Sequence, residues 1–340
     1  MDPYALPLEQ LAVYLEQAVP GLRGPLTAVK FKGGQSNPTY LIEAASGRYV
    51  LRRKPSGDLL ASAHAVDREF RVLCALRDSA VPVAGALHLC TDEGVIGSWF
   101  YLMEYVDGSV FWDPALPEIS REQRAFYYQA IAQSLGALHK VEVNKVGLAD
   151  YGKPSGYFAR QLKRWSSQYY LSETGKIPLV DRLISELELL LPADDGRVAL
   201  VHGDFRVDNL MFDRLKPQVL AIVDWELSTL GHPLSDAAYF CMALRLPNNP
   251  TLPGLGGHDR EALGIPTEAA WLEQYFAASG QAPVAYWPFC LAFNFFRLAA
   301  IAQGVFKRSL QGNASNERAA EAGKIVPMLA NMGLQALQNG

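Results

Sequence analysis

The chain has 340 residues, 49% of them hydrophobic and 19% charged, with a formal net charge of −4. That balance supports a sizeable core and excludes a disordered chain. The small acidic excess, with no Lys/Arg block, excludes nucleic acid or an acidic membrane surface as the main partner.

Cys74, Cys90, Cys241 and Cys290 form no CxxC pair, and no His/Cys cluster has zinc spacing. Their mostly apolar neighbours predict buried free thiols and a reducing, cytoplasmic location. Met1-Asp2-Pro3-Tyr4 is not a basic segment followed by a long apolar run, so no signal peptide is expected. The most apolar stretch, 286–306, contains Asn294, Arg297 and Gln303, which reads as a buried helix rather than a membrane span.

In chain order, Leu8, Leu11 and Leu15 predict a helix over 8–19 that stops at Pro20-Gly21. Strands are expected at 28–31 and 39–44, joined by Lys32-Gly33-Gly34-Gln35-Ser36-Asn37-Pro38 as a hairpin turn. The next strand, 48–54, places Val50, Arg52 and Lys54 on one face. A helix over 64–76 presents Phe70, Leu73 and Leu76, and also carries Glu69 between Arg68 and Arg71. His64 and His88 read as structural. Residues 99–106 form a strand apolar on both faces, ending at Asp107-Gly108.

Beyond that point helices dominate. Tyr127, Ile131, Leu135 and Leu138 stripe a core helix over 123–139. Residues 157–170 mix Tyr157, Phe158, Trp165, Tyr169 and Tyr170 with Arg160, Lys163 and Arg164, either as core or as a substrate groove. Another helix covers 181–191. A helix from Asp236 to Leu246 follows 229–235, and a Pro/Gly-rich loop over 248–264 is a candidate lid. Helices over 267–278, 286–310 and 316–338 close the chain.

The chemistry concentrates in Val201-His202-Gly203-Asp204-Phe205-Arg206-Val207-Asp208-Asn209-Leu210-Met211-Phe212. Apolar runs at 199–201 and 210–212 frame a polar loop, so buried strands hold it at both ends. A further apolar run, 219–223, ends in Asp224-Trp225-Glu226. Asp204, Asn209 and Asp224 thus offer oxygen ligands of the kind a hard cation such as magnesium takes alongside substrate phosphates. Phosphoryl transfer needs a positioned metal and a carboxylate to orient the attacking hydroxyl. Asn209 and Asp224 suit the first task and Asp204 the second.

His202-x-Asp204-x-x-x-x-Asn209, followed by a strand and Asp224, resembles the catalytic loop and metal-binding Asp of protein-kinase-like enzymes. Its particular form, with Ile222-Val223-Asp224-Trp225-Glu226, is most similar to the aminoglycoside phosphotransferase and choline kinase branch. Within that branch it looks like the phosphotransferase domains associated with acyl-CoA dehydrogenases. The resemblance implies an α+β, bilobal protein-kinase-like fold, with an antiparallel nucleotide-binding lobe over 1–105 and a mostly helical catalytic lobe over 106–340. It also implies ATP and Mg²⁺ as cofactors. Gly34, Ser36 and Asn37 of the Gly-Gly turn would cover the phosphates, although the full G-x-G-x-x-G spacing is absent. Arg52, with Arg53 and Lys54 as alternatives, stands where relatives place a phosphate-binding cation. Glu69 would tether it. The backbone from Glu104 to Val106 would hold the adenine. His202 would orient the loop, and Asp236 would brace it.

The implied reaction is O-phosphorylation of a small-molecule hydroxyl, with no nucleic-acid or membrane partner and no sign of oligomeric state. A hydroxyacyl compound or its CoA thioester is one acceptor class, and an aminoglycoside or amino alcohol the other. Arg297, Lys307 and Arg308 tilt the expectation toward a neutral or anionic acceptor. Two competing classes remain: a nucleotide-binding module without catalysis, and a metal-dependent phosphohydrolase that would not need the strand cation.

Overall fold

The computed structural model describes residues 5–31, 37–55, 65–248, 252–311 and 320–339. Gly34 and Ser36 of the expected phosphate turn, His64, and the start of the expected 316–338 helix lie outside the described residues. In chain order the elements begin α1 (Leu8–Ala18), β1 (Leu26–Lys30), β2 (Thr39–Ala44), β3 (Gly47–Arg53), α2 (Val66–Leu76), β4 (Ala86–Cys90), α3 (Glu93–Ile96) and β5 (Phe100–Glu104). They continue α4 (Arg121–His139), α5 (Tyr157–Ser172), α6 (Pro178–Leu189), β6 (Ala199–Val201), β7 (Leu210–Phe212), β8 (Val219–Ile222) and β9 (Thr229–Gly231). Last come α7 (Leu234–Arg245), α8 (Glu268–Ser279), α9 (Trp287–Leu310) and α10 (Ala322–Asn339).

The chain forms two compact units. One comprises Met1–Phe111, Asn144–Leu148 and Asn209–Ser228, and the other comprises Trp112–Val143, Ala149–Asp208 and Thr229–Gly340. The first unit is built on a five-stranded antiparallel sheet, in the order β1-β2-β3-β5-β4. Leu11 and Leu15 of α1, one helical turn apart, are fully buried in a core shared with Ile42, Leu51, Phe100 and Leu102. In α2 the buried stripe is Val66, Glu69, Val72, Leu73 and Leu76, so a carboxylate sits within the apolar face. A buried charge there demands partners. The hairpin of β7 and β8 joins this unit through reciprocal bonds between Ser109 and Phe212, both 2.8 Å, and through the Ile222 N–H donating to Pro82 O at 2.8 Å. Strand β4 has no counterpart in the sequence-based expectation. It is a short edge strand with an irregular register between Ala86 and His88, and its half-buried alternation resembles that of a loop.

The second unit is helical around the short β6–β9 ladder. Gly136 of α4 lets α8 approach closely: a Cβ there would lie 2.5 Å from Ala278 Cβ and 2.8 Å from Ala278 C. Helix α9 is apolar and long enough to cross a membrane, but 72% of its most apolar window is buried inside the protein. Two of its buried polar residues tie it to its surroundings. Asn294 donates to Ser235 O at 3.1 Å and to Cys290 O at 3.0 Å, and Gln303 donates to Ser172 O and Thr174 Oγ1, both at 3.0 Å. The aromatic run of α5 is chiefly core, with Tyr157, Phe158 and Tyr169 buried. The cysteines are free thiols. Three are buried, but Cys74 is exposed on α2, because it lies off that helix's apolar stripe.

Candidate functional site

In the first unit the site is built around Arg52. Its Nε lies 2.9 Å from Glu69 Oε2, and its Nη2 lies 2.6 Å from Asp224 Oδ1 and 3.7 Å from Glu226 Oε2. Glu69 also accepts from Asn37 Nδ2 at 2.7 Å and from the Tyr101 hydroxyl at 3.1 Å. The neighbouring cations on β3 are engaged elsewhere: Arg53 Nε donates to Ser98 Oγ at 2.9 Å, and Lys54 Nζ rests 4.0 Å over the Trp99 ring. Of the three, Arg52 is therefore the one tied to both Glu69 and Asp224. Arg68 and Arg71 do not pair with Glu69. Their guanidinium groups donate to Ser228 O and Gly147 O.

The electrostatics of this cluster are uneven, because Glu69, Asp224 and Glu226 share one guanidinium. Burial pushes the Glu69 carboxyl up to about 7. The charges of Asp224 and Glu226 add to that rise, while Arg52 and the Asn37 hydrogen bond oppose it. Arg52 itself is shifted upward: burial works against its charge, but Glu69 leads the neighbours that outweigh burial. The cluster is short of positive charge.

The β7–β8 hairpin sets Asn209 opposite Val223, the residue before Asp224. Leu210 faces Ile222 across the ladder, and the Val223 N–H donates to Asn209 O at 3.0 Å. Asp224 has φ +66° and ψ +60°, a left-handed conformation that a non-glycine residue adopts at a cost. This bend ends the strand, and Trp225–Leu227 follows as a turn of 3₁₀ helix, held by Trp225 Nε1 donating to Ile222 O at 2.9 Å. Among the described residues no group of three or more His, Cys, Asp or Glu side chains is arranged to hold a metal. An amide and a carboxylate still fit magnesium. That ion takes few protein ligands and completes its shell with water and phosphate oxygens.

The remaining candidates of the 225–236 and hinge segments are placed as follows. The Glu104 N–H is taken by Gly85 O at 2.8 Å, and its carboxylate lies against Gly85. A base read by this stretch must use other backbone groups. Val106 O accepts from the Gly108 N–H at 3.1 Å, and Asp107 pairs with Arg214 at 2.8 Å.

In the second unit, β6 delivers His202-Gly203-Asp204. Asp236, 1% exposed near the start of α7, accepts from the His202 N–H at 2.6 Å and from the Gly203 N–H at 2.9 Å. Burial opposes its ionisation, but hydrogen bonds led by His139 hold the carboxyl below the usual range. His139 in turn lies 2.7 Å from the Tyr275 hydroxyl. The ring of His202, fully buried, accepts from the Asp204 N–H at 3.2 Å. Gly203 adopts φ +84°, which turns its carbonyl toward α9, where Arg297 Nη2 donates to it at 2.6 Å. Two residues past Asp204, Arg206 Nε donates to Asp208 Oδ1 at 3.0 Å within a bidentate pair.

Three of these side chains escaped the sequence reading in their actual roles. Glu226 joins the Arg52 cluster. Tyr239, whose phenol is pushed up by burial first and by Asp204 next, lies one helical turn past Asp236, a spacing that puts both on one face of α7. Arg297 is a brace under Gly203 rather than a surface cation, and Lys307 Nζ donates to Leu171 O at 2.6 Å. Two of the three cations that α9 was expected to offer are thus engaged within the protein.

Residues 27–293 match the family model described as the phosphotransferase enzyme family. The chain belongs to that family. This phosphotransferase is 46% identical over 330 residues to acyl-CoA dehydrogenase family member 10 of Mus musculus, a match covering 96% of this chain and 31% of that protein. The chain thus spans less than a third of that relative's length. A solved structure from Ralstonia eutropha JMP134, provisionally named an aminoglycoside phosphotransferase, is 43% identical with a TM-score of 0.90, covering 98% of this chain and 99% of that one. Spectinomycin phosphotransferase, solved with ADP and spectinomycin, is 13% identical with a TM-score of 0.64, covering 97% and 98%. That last likeness speaks to the fold alone, which is α+β and protein-kinase-like.

Proposed function

We propose that this phosphotransferase is an ATP- and Mg²⁺-dependent small-molecule kinase that phosphorylates a hydroxyl group of an acyl compound or its CoA thioester. The observation that carries the reading is the bond of Asn209 O with the Val223 N–H, next to Asp224, while Asp224 itself meets Arg52 of the Arg52–Glu69 ion pair. Asn209 and Asp224 would hold the magnesium, whose charge would offset that of the ATP phosphates. Arg52, steadied by Glu69, would contact the phosphates, with Gly34, Ser36 and Asn37 in the turn that covers them, and the 104–106 backbone would take the adenine. Asp204 would accept the proton of the acceptor hydroxyl as its oxygen bonds to the γ-phosphorus and the bond to the β-phosphate oxygen breaks, releasing ADP. His202 and Asp236 would keep the loop in register.

The acyl assignment is supported by the name of the Mus musculus relative, an acyl-CoA dehydrogenase family member in which a domain like this one fills part of the length. An aminoglycoside or amino-alcohol acceptor is the second reading, favoured by the name of the Ralstonia structure. Incubation with Mg·ATP and, separately, 3-hydroxybutyryl-CoA, kanamycin and choline, followed by mass spectrometry, tests the two. Gain of one phosphoryl group on the CoA thioester alone supports the first. Gain on kanamycin or choline alone replaces it with the second.

A further inference from the structure

We propose that His232 is a proton-sensitive cap on α7: a proton added to its ring detaches the start of that helix and loosens the hold of Asp236 on the 202–204 loop. The inference goes beyond the kinase reading and does not depend on it.

The sequence Gly231-His232-Pro233-Leu234 puts an imidazole just ahead of the first N–H groups of α7. A helix start leaves those groups without partners inside the helix. Pro233 has no N–H to satisfy. His232 takes the next two: its ring Nδ1 accepts from the Leu234 N–H at 3.2 Å, and its carbonyl accepts from the Ser235 N–H at 2.9 Å. Asp236 comes next in the chain, and its carboxylate holds the N–H groups of His202 and Gly203.

A ring nitrogen that accepts a hydrogen bond carries no proton, so the neutral ring bears its proton on Nε2. That nitrogen lies 3.2 Å from Asp195 Oδ1 and 3.2 Å from the Tyr286 hydroxyl. The Tyr286 hydroxyl also donates to Asp195, and Arg197 Nε lies 3.1 Å from the same carboxylate. A second proton therefore enters the ring at Nδ1. There it meets the Leu234 N–H, donor against donor, and places a positive charge at the positive end of a helix. The bond between ring and helix start cannot survive it.

The ring is 4% exposed. It is faced by Asp194, Asp195 and Arg197 from the 192–197 loop, by Tyr286 at the start of α9, by Tyr157 of α5 and by His139 of α4. Burial leads the effects that push the ring below its ordinary 6.5, Arg197 and His139 add to them, and Asp195 opposes. A folded ring that resists its proton makes the opened form gain as pH falls through 6.5. A cavity of about 40 Å³ beside the ring has room for the water that delivers the proton.

Long-range nitrogen-15 spectra of the histidine rings, assigned with His232→Asn, should show the Nε2–H tautomer at neutral pH and a midpoint below 6.5 for His232. Hydrogen exchange reads the helix start. On acidification the protection factors of the Leu234, His202 and Gly203 amides should fall together, by about tenfold for each pH unit between that midpoint and 6.5. His232→Asn keeps an acceptor for the Leu234 N–H but takes no proton, so its three amides should stay protected. Asp195→Asn removes the anion that opposes the shift and should lower the ring's midpoint further. An Nδ1–H tautomer overturns the proposal. So does protection at Leu234 that holds through the ring's titration, a loss there that leaves His202 and Gly203 unchanged, or an equal loss in His232→Asn. These measurements involve neither nucleotide nor acceptor, so their failure is distinct from failure of the kinase reading.

Discussion

At the scale of single residues, two buried carboxylates sit in opposite environments. Asp236 collects backbone N–H groups and stays ionised. Glu69 is buried among more acids than cations and is pushed up to about 7 from an ordinary 4.5. Between those two values the folded protein keeps a proton that the unfolded chain releases, so stability declines as pH rises through that window. Urea midpoints measured across it should fall with pH, and the slope should flatten in Glu69→Gln. A slope unchanged by that substitution would show that Glu69 titrates normally. Asp204 is only half-buried, and its loss should leave the fold intact. Asp204→Ala should bind Mg·AMP-PNP as tightly as the parent by calorimetry, while turnover drops to near background. Weakened nucleotide binding would contradict the role assigned to it.

Among the elements, the helices do more than fill space. Helix α7 bears Asp236, so a rigid helix sets the loop backbone at residues 202 and 203. Helix α9 contributes its polar residues at separated positions, each tying down a different segment. The β7–β8 hairpin performs the same service for Asn209 and Val223, the residue before Asp224, because ladder register decides which residues end up level. Packing between α4 and α8 depends on a missing side chain at Gly136. Gly136→Ala adds helix propensity of about 1 kcal/mol but forces a methyl against the Ala278 backbone, an overpacking cost of about 1–3 kcal/mol. The expected result is a net loss of up to about 2 kcal/mol, read from denaturant midpoints. A stabilised variant would mean that α8 yields at Ala278 without penalty.

For the molecule as a whole, ligand linkage offers a test that needs no acceptor. A ligand at one hundred times its Kd, binding only the folded form, adds about 2.7 kcal/mol of stability. Mg·AMP-PNP should therefore raise the melting temperature of the parent and of Asp204→Ala alike. Arg52→Ala should blunt the shift, because it removes the cation common to Glu69 and Asp224. An undiminished shift in Arg52→Ala would take Arg52 out of nucleotide binding.

What the amino-acid order determined alone is whatever depends on neighbours. The 3.6-residue stripe of Leu8, Leu11 and Leu15, the apolar runs on either side of 202–209, and the turn residues between them are local patterns, and hydrophobic burial acts on them directly. Strand β4 was illegible because an irregular, half-buried edge strand carries no clear period. Tertiary structure alone decided between Arg52, Arg53 and Lys54: Arg52 meets Asp224, 172 positions further along the chain, while Arg53 meets Ser98 and Lys54 meets Trp99. It likewise turned Arg297 from one more cation on an apolar helix into the partner of the Gly203 carbonyl. Spacing along the chain cannot encode such meetings, because which distant charge fills a buried cluster is settled only when the elements that carry the two groups pack.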